Sequence, residues 1–142
     1  MNAFDDKCSS CWSNNLSRSY HLEIARHVAG AEQRWVENLL TRFELPGVES
    51  IGQGTARRIS NVGIYHVALV ARLVRSVGIP LEPAASLAVR LLAVDDGQPI
   101  PLLGELELRF DRAAFVASID TLIADATEAT VPPRRGRPPV SR

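Results

Sequence analysis

The stretch from Ile24 to Leu92 allows few folds, because apolar residues recur at helical spacing while glycine and proline cut the pattern at fixed places. A short run from Leu22 to Val28 sets Leu22, Ile24, Ala25 and Val28 at apolar positions, and Ala29-Gly30 breaks it tightly. A second run, from about Ala31 to Phe43, repeats Trp35-Val36, Leu39-Leu40 and Phe43. Its other face shows Glu32, Gln33, Arg34, Glu37, Asn38 and Arg42. Leu45-Pro46-Gly47 ends this helix, since proline stops it and glycine turns the chain. A short helix, a glycine turn and a helix with a polar leading edge fit a helix-turn-helix, and they also fit a structural helical hairpin.

The segment Gly52-Gln53-Gly54-Thr55-Ala56-Arg57-Arg58-Ile59-Ser60 comes next. It reads as a flexible turn running into a basic strand. Flexible backbone beside fixed positive charge suits a hairpin laid along a phosphate backbone. Ser60 or Asn61 is a good N-cap for a helix from about Val62 to Val77, with Tyr65, Ala68-Leu69, Arg72-Leu73 and Ser76 at helical spacing. Gly78 closes that helix, and Ile79-Pro80-Leu81 leads into another from about Pro83 to Leu92.

Taken in order, these residues resemble the MerR-type winged-helix DNA-binding domain. The resemblance spans about Tyr20 to Leu92, and its most specific parts are Arg57-Arg58-Ile59-Ser60 and Gly78-Ile79-Pro80-Leu81. It implies that the second helix enters the major groove while the wing touches the flanking backbone. On that reading Glu32, Gln33 and Arg34 reach base edges with Asn38 in support, and Arg57 and Arg58 hold phosphates. Trp35, beside Val36 on the apolar face, belongs to the core. Two departures stand out: Ile59 replaces the aromatic usual after the wing's basic pair, and no long dimerising helix or effector domain is visible. Small relatives of the fold serve as recombination directionality factors and phage regulators.

Beyond Leu92, Asp95-Asp96-Gly97-Gln98-Pro99 is a turn by composition, and Glu105 to Phe110 alternates as a half-buried strand does. Its acidic face is expected to be a solvated one. Asp111 caps a helix from about Arg112 to Glu128, with Phe115-Val116, Ile119, Leu122-Ile123 and Ala126 in one stripe. That stripe must be covered, by the winged domain or by a second copy, and partial dimerisation through it is the favoured expectation. The tail, four prolines in the nine residues from Pro132 and no apolar period, reads as extended. Its core, Arg135-Gly136-Arg137-Pro138, with Arg134 beside it, resembles the AT-hook, in which arginines lie along a narrow A·T minor groove. A generic basic tail that adds electrostatic affinity is the plainer reading.

Charge supports a polyanionic partner despite a net charge of zero. Residues 18–76 carry eight Arg and five Glu, residues 82–128 three Arg and nine acids, and residues 129–142 four Arg and no acid. Two basic regions thus flank an acidic one, which would stay away from DNA and is where a protein partner would bind. Cys8-Ser9-Ser10-Cys11 has the spacing of half a zinc or redox site, which His21 and His27 could complete only if the leader folded back, so incidental thiols are expected. No metal or cofactor is expected, and neither is catalysis: the sequence has no nucleophile with an adjacent base, no phosphate loop and no spaced histidine pair with a carboxylate. No apolar run is long enough to span a bilayer, and the start of the chain is acidic, so a cytoplasmic, nucleoid-associated protein is expected.

The expected fold is mainly α: a winged helix-turn-helix with a short β-hairpin wing over 20–94, then a strand and an amphipathic helix over 95–128. A flexible leader (1–19) precedes it and a disordered tail (129–142) follows. The expected function is sequence-specific binding of double-stranded DNA, as a bacterial or phage transcriptional regulator. The alternatives are a protein-interaction adaptor built on the same scaffold and a recombination or excision accessory factor.

Overall fold

The structure, a computed structural model, describes residues 19–49 and 57–130. The Cys8/Cys11 pair, the Gly52–Gly54 turn and the AT-hook-like residues Arg134, Arg135, Gly136 and Arg137 lie outside the described residues.

Five α-helices and two small antiparallel sheets make up the described chain. β1 (Ser19–Tyr20) leads into α1 (Leu22–Ala29), which buries Ile24, Ala25 and Val28. Gly30 ends α1 with φ of 61° and returns its N–H to the Arg26 and His27 carbonyls, a left-handed close that glycine makes without strain. α2 (Gln33–Arg42) buries Val36, Leu39 and Leu40 and stops at Phe43, whose backbone is extended. Leu45 then plugs into the core and Gly47 turns the chain at φ of 80°.

β2 (Val48–Glu49) and β3 (Arg58–Ser60) form the base of the wing, with Val48 opposite Ile59 and Glu49 opposite Arg58. β1 adds to the other edge of β3, placing Tyr20 opposite Ile59, so the sheet order is β1-β3-β2. Ile59 is therefore paired on both sides and fully buried, which explains an aliphatic residue there. The strand at Ser19–Tyr20 was not legible in the sequence, because two residues carry no period.

α3 (Asn61–Arg72) is the centre of the molecule and lies against α1, α4, α5 and β3. Every residue from Gly63 to Ala71 is buried. A helix apolar all round belongs inside. Ser60 caps it: its Oγ accepts from the Gly63 N–H at 3.4 Å and donates to the Gly47 carbonyl at 3.1 Å. The helical run does reach Val77, but its last five residues, Leu73–Val77, wind as a π-helix before Gly78 closes at φ of 79°.

His66 lies inside α3, with Nδ1 donating to the Val62 carbonyl at 2.7 Å, and burial pushes its pKa below the ordinary 6.5. A depressed histidine leaves full stability in place above pH 6.5 and withdraws it as pH falls towards the folded value, because the unfolded chain takes the proton first. The melting temperature should therefore drop between about pH 7 and 5, and His66→Gln should flatten that decline. An unchanged slope in the variant would remove His66 as its cause.

α4 (Leu81–Ala93) packs on α3. The next segment corrects the expectation of one half-buried strand. It is a hairpin of β4 (Ile100–Leu103) and β5 (Leu106–Leu108), turning at Gly104, and Leu106 is exposed rather than buried. Pro99 and Pro101 hide β4 in the sequence, since proline argues against a strand.

α5 (Arg112–Ala129) is capped as expected, Asp111 Oδ1 accepting from the Ala114 N–H at 2.9 Å. Its stripe of Phe115, Ile119, Ile123 and Ala126 is buried within this chain, in one apolar cluster with the winged part, against α1 and α3. Of the two covers expected for the stripe, the chain itself thus takes the inner residues, while Val116 is half-buried and Leu122 is exposed. Tyr65 locks the contact by donating to Asp120 Oδ1, and burial together with that carboxylate raises the phenol's pKa.

Candidate nucleic-acid interface

The helix-turn-helix expectation rests on what α2 presents outward, and that follows from what it buries. With Val36, Leu39 and Leu40 turned inward, two rows remain on the outside. One is Gln33, Glu37, Thr41 and the other is Arg34, Asn38, Arg42, all exposed. Glu32 is exposed at the N-cap position, where an acid favours the positive end of the helix and makes no side-chain capping bond. Trp35 is half-buried against the core, as its apolar neighbours require.

The outer rows are tied to the wing. Thr41 Oγ1 donates to the Glu37 carbonyl at 2.7 Å and accepts from Arg57 Nη2 at 3.1 Å. One guanidinium thereby fixes the foot of β3 to the C-terminal end of α2. Arg58, on β3, is exposed. Glu49 stands opposite it in register, yet among the described residues neither arginine pairs with a carboxylate. Of the expected site residues, Gln33 and Arg57 thus line one groove, while Arg34 and Asn38 lie on the neighbouring row of α2 and Arg58 on β3.

Gln33 is the exception. Its Nε2 donates to Glu37 Oε1 at 2.8 Å, so it is engaged with its own helix rather than free at the surface. Arg42 also has a use of its own, its guanidinium lying 5.5 Å from the Phe43 ring centre.

Beside α2 runs an open groove of about 650 Å³, lined among others by His21, Arg26, Gln33, Glu37, Thr41 and Arg57. Arg26 and Thr41 do not stand out in the sequence as site residues, and His21 does so only as a possible metal partner of the Cys8/Cys11 pair. Thr41 was findable, eight residues beyond Gln33 on the same row. Arg26 and His21 required knowing how α1 crosses α2. The turn between these helices is held from elsewhere: Arg75, in the π-helical segment, donates to the Gly30 carbonyl.

Among the described residues no group of three or more His, Cys, Asp or Glu is placed to hold a metal ion, and no helix is long and apolar enough to cross a membrane. Compared with protein-family models, with characterised proteins and with solved structures, the chain matches none.

Proposed function

We propose that this chain binds double-stranded DNA as a transcriptional regulator. α2 enters the major groove, the β2–β3 wing lies on the adjacent backbone, and the basic tail follows the minor groove. The observation that carries this reading is the Arg57–Thr41 bond, which joins wing to helix and leaves both with exposed polar and cationic groups on one surface. An exposed helix face with amide and guanidinium groups can read base edges, while arginines beside it hold phosphates without regard to sequence. The MerR-type resemblance implies the same arrangement. The tail's arginines, Arg134, Arg135 and Arg137, add charge where a narrow A·T groove concentrates negative potential.

Fluorescence anisotropy with a random duplex at about 50 mM salt tests the reading, since non-specific binding depends on phosphate contacts. The full chain should bind, and replacing Arg134, Arg135 and Arg137 together by Ser should weaken it. A chain that fails to bind any duplex at that salt is not a DNA-binding protein, and the interaction-adaptor reading takes its place.

Within the major groove, Arg34→Ala should relax sequence preference by about 1–3 kcal/mol at one position. Gln33→Ala should act differently. It strips Glu37 of its partner and leaves that carboxylate beside the phosphates, so binding should weaken on every sequence as well. Equal losses on cognate and random duplex for Arg34→Ala would remove it from the base-reading set.

A further inference from the structure

The apolar face of the β4–β5 hairpin runs off the end of the core. At the inner end Ile100 is buried opposite a half-buried Leu108. At the outer end Leu103 and Leu106 stand opposite one another, 78% and 63% exposed. Leu102 beside them is 48% exposed. Two strands alone are marginal in water, and a wet cross-strand leucine pair at their tip forgoes the stabilisation burial would give. The two edges differ as well. β4 contains Pro101, which has no N–H to offer a neighbour, whereas β5 has no proline and among the described residues pairs with β4 alone.

We propose that a second copy of this chain pairs with the free edge of this hairpin, the two β5 strands running antiparallel about a two-fold axis at Glu107, so that Leu106 and Leu108 of the two copies flank one another. Only this register pairs all three residues of β5. It sets Leu106 of one copy opposite Leu108 of the other, and Glu105 opposite Arg109 on both sides of the axis. The charges select it. Centred one residue earlier, Glu105 would meet Glu107; centred one residue later, Glu107 would meet Arg109, but Glu105 would meet Asp111 and only Leu108 of β5 would face the other β5. One repulsion remains, Glu107 against its own copy. Most of the α5 stripe is already used inside the chain, and among the described residues three of the five exposed large apolar side chains lie on this hairpin. The pairing does not depend on DNA binding, although a two-fold dimer would favour inverted half-sites.

Sedimentation equilibrium of the full chain without DNA tests the proposal over a wide concentration range. A reversible monomer–dimer equilibrium is expected, with Leu106→Lys raising its Kd at least about tenfold. Arg109→Glu should weaken association, Arg109→Glu combined with Glu105→Arg should restore it, and Glu107→Gln should tighten it. Because Leu106 is exposed, the Leu106→Lys monomer should keep the parent's circular dichroism, and the charge pair supplies an independent test if it does not. A chain that stays monomeric throughout overturns the proposal. So does a dimer indifferent to Leu106→Lys, or a charge reversal that restores nothing. Loss of association on replacing Arg134, Arg135 and Arg137 by Ser would assign the cover to the basic tail instead, and overturns it equally.

Discussion

Alanine at Gly63 is expected to destabilise the protein by about 2–4 kcal/mol, a large effect for one added methyl group. The root of the wing crosses the first turn of α3 with no room for a side chain. A Cβ at Gly63 would lie 2.6 Å from the Gly47 carbonyl oxygen and 2.7 Å from Ile59 Cγ2. Neither neighbour can retreat freely. The Gly47 carbonyl accepts from the Ser60 N–H at 2.8 Å, and Ile59 is the buried centre of the three-stranded sheet. Gly47→Ala should cost at least as much, because its Cβ would collide with the Gly63 nitrogen and the Ser60 Oγ, and its φ of 80° is strained for alanine. Gly97→Ala supplies the control: φ is 77°, yet nothing lies within 4 Å of the added carbon. It should cost only about 1 kcal/mol of backbone strain. Denaturant melts give all three values, and a Gly63→Ala midpoint equal to the parent's would show that the crossing is not tight.

The second large effect concerns binding. Replacing Arg57 and Arg58 together by Ala should lower duplex affinity roughly ten- to a hundredfold at low salt, whatever the sequence. Two phosphate contacts fewer should make the dependence of log K on log salt shallower by about 1.8. The fold should survive, because the lost Arg57–Thr41 bond is an exposed one and Arg58 is exposed at the sheet. An exposed bond of this kind contributes about 0.5–1.5 kcal/mol. A double variant with the parent's salt slope would take the wing off the backbone. A variant that lost affinity only for one preferred sequence would instead make these arginines base readers.

Much of the scaffold was legible because its punctuation is chemical. Gly30 and Gly78 sit in left-handed closes where the sequence suggested breaks, and Ser60 and Asp111 cap the helices that follow them. What stayed hidden was decided by contacts distant in sequence. Burial all round α3 arises because α1, α4, α5 and β3 surround it, and no stripe within the segment announces that. The stripe of α5 was visible, but its partner was not, since periodicity says that a face is covered and never by what. Tyr65 and Asp120, 55 residues apart, settle it. The exposed rows of α2 could be read from spacing alone. The pairing of Gln33 with Glu37 and of Arg57 with Thr41 could not, because each depends on a side-chain conformation.

On the proposed reading, α2 and the wing present one continuous surface to a duplex. Amide chemical shifts of the full chain, followed by NMR as duplex DNA is added at low salt, test it most directly. Gln33, Arg34, Asn38, Thr41, Arg57 and Arg58 should shift together, while Thr121 and Asp125 on the outer side of α5 stay in place. Shifts confined to α5 or to the β4–β5 hairpin, with α2 and β3 unmoved, would contradict it.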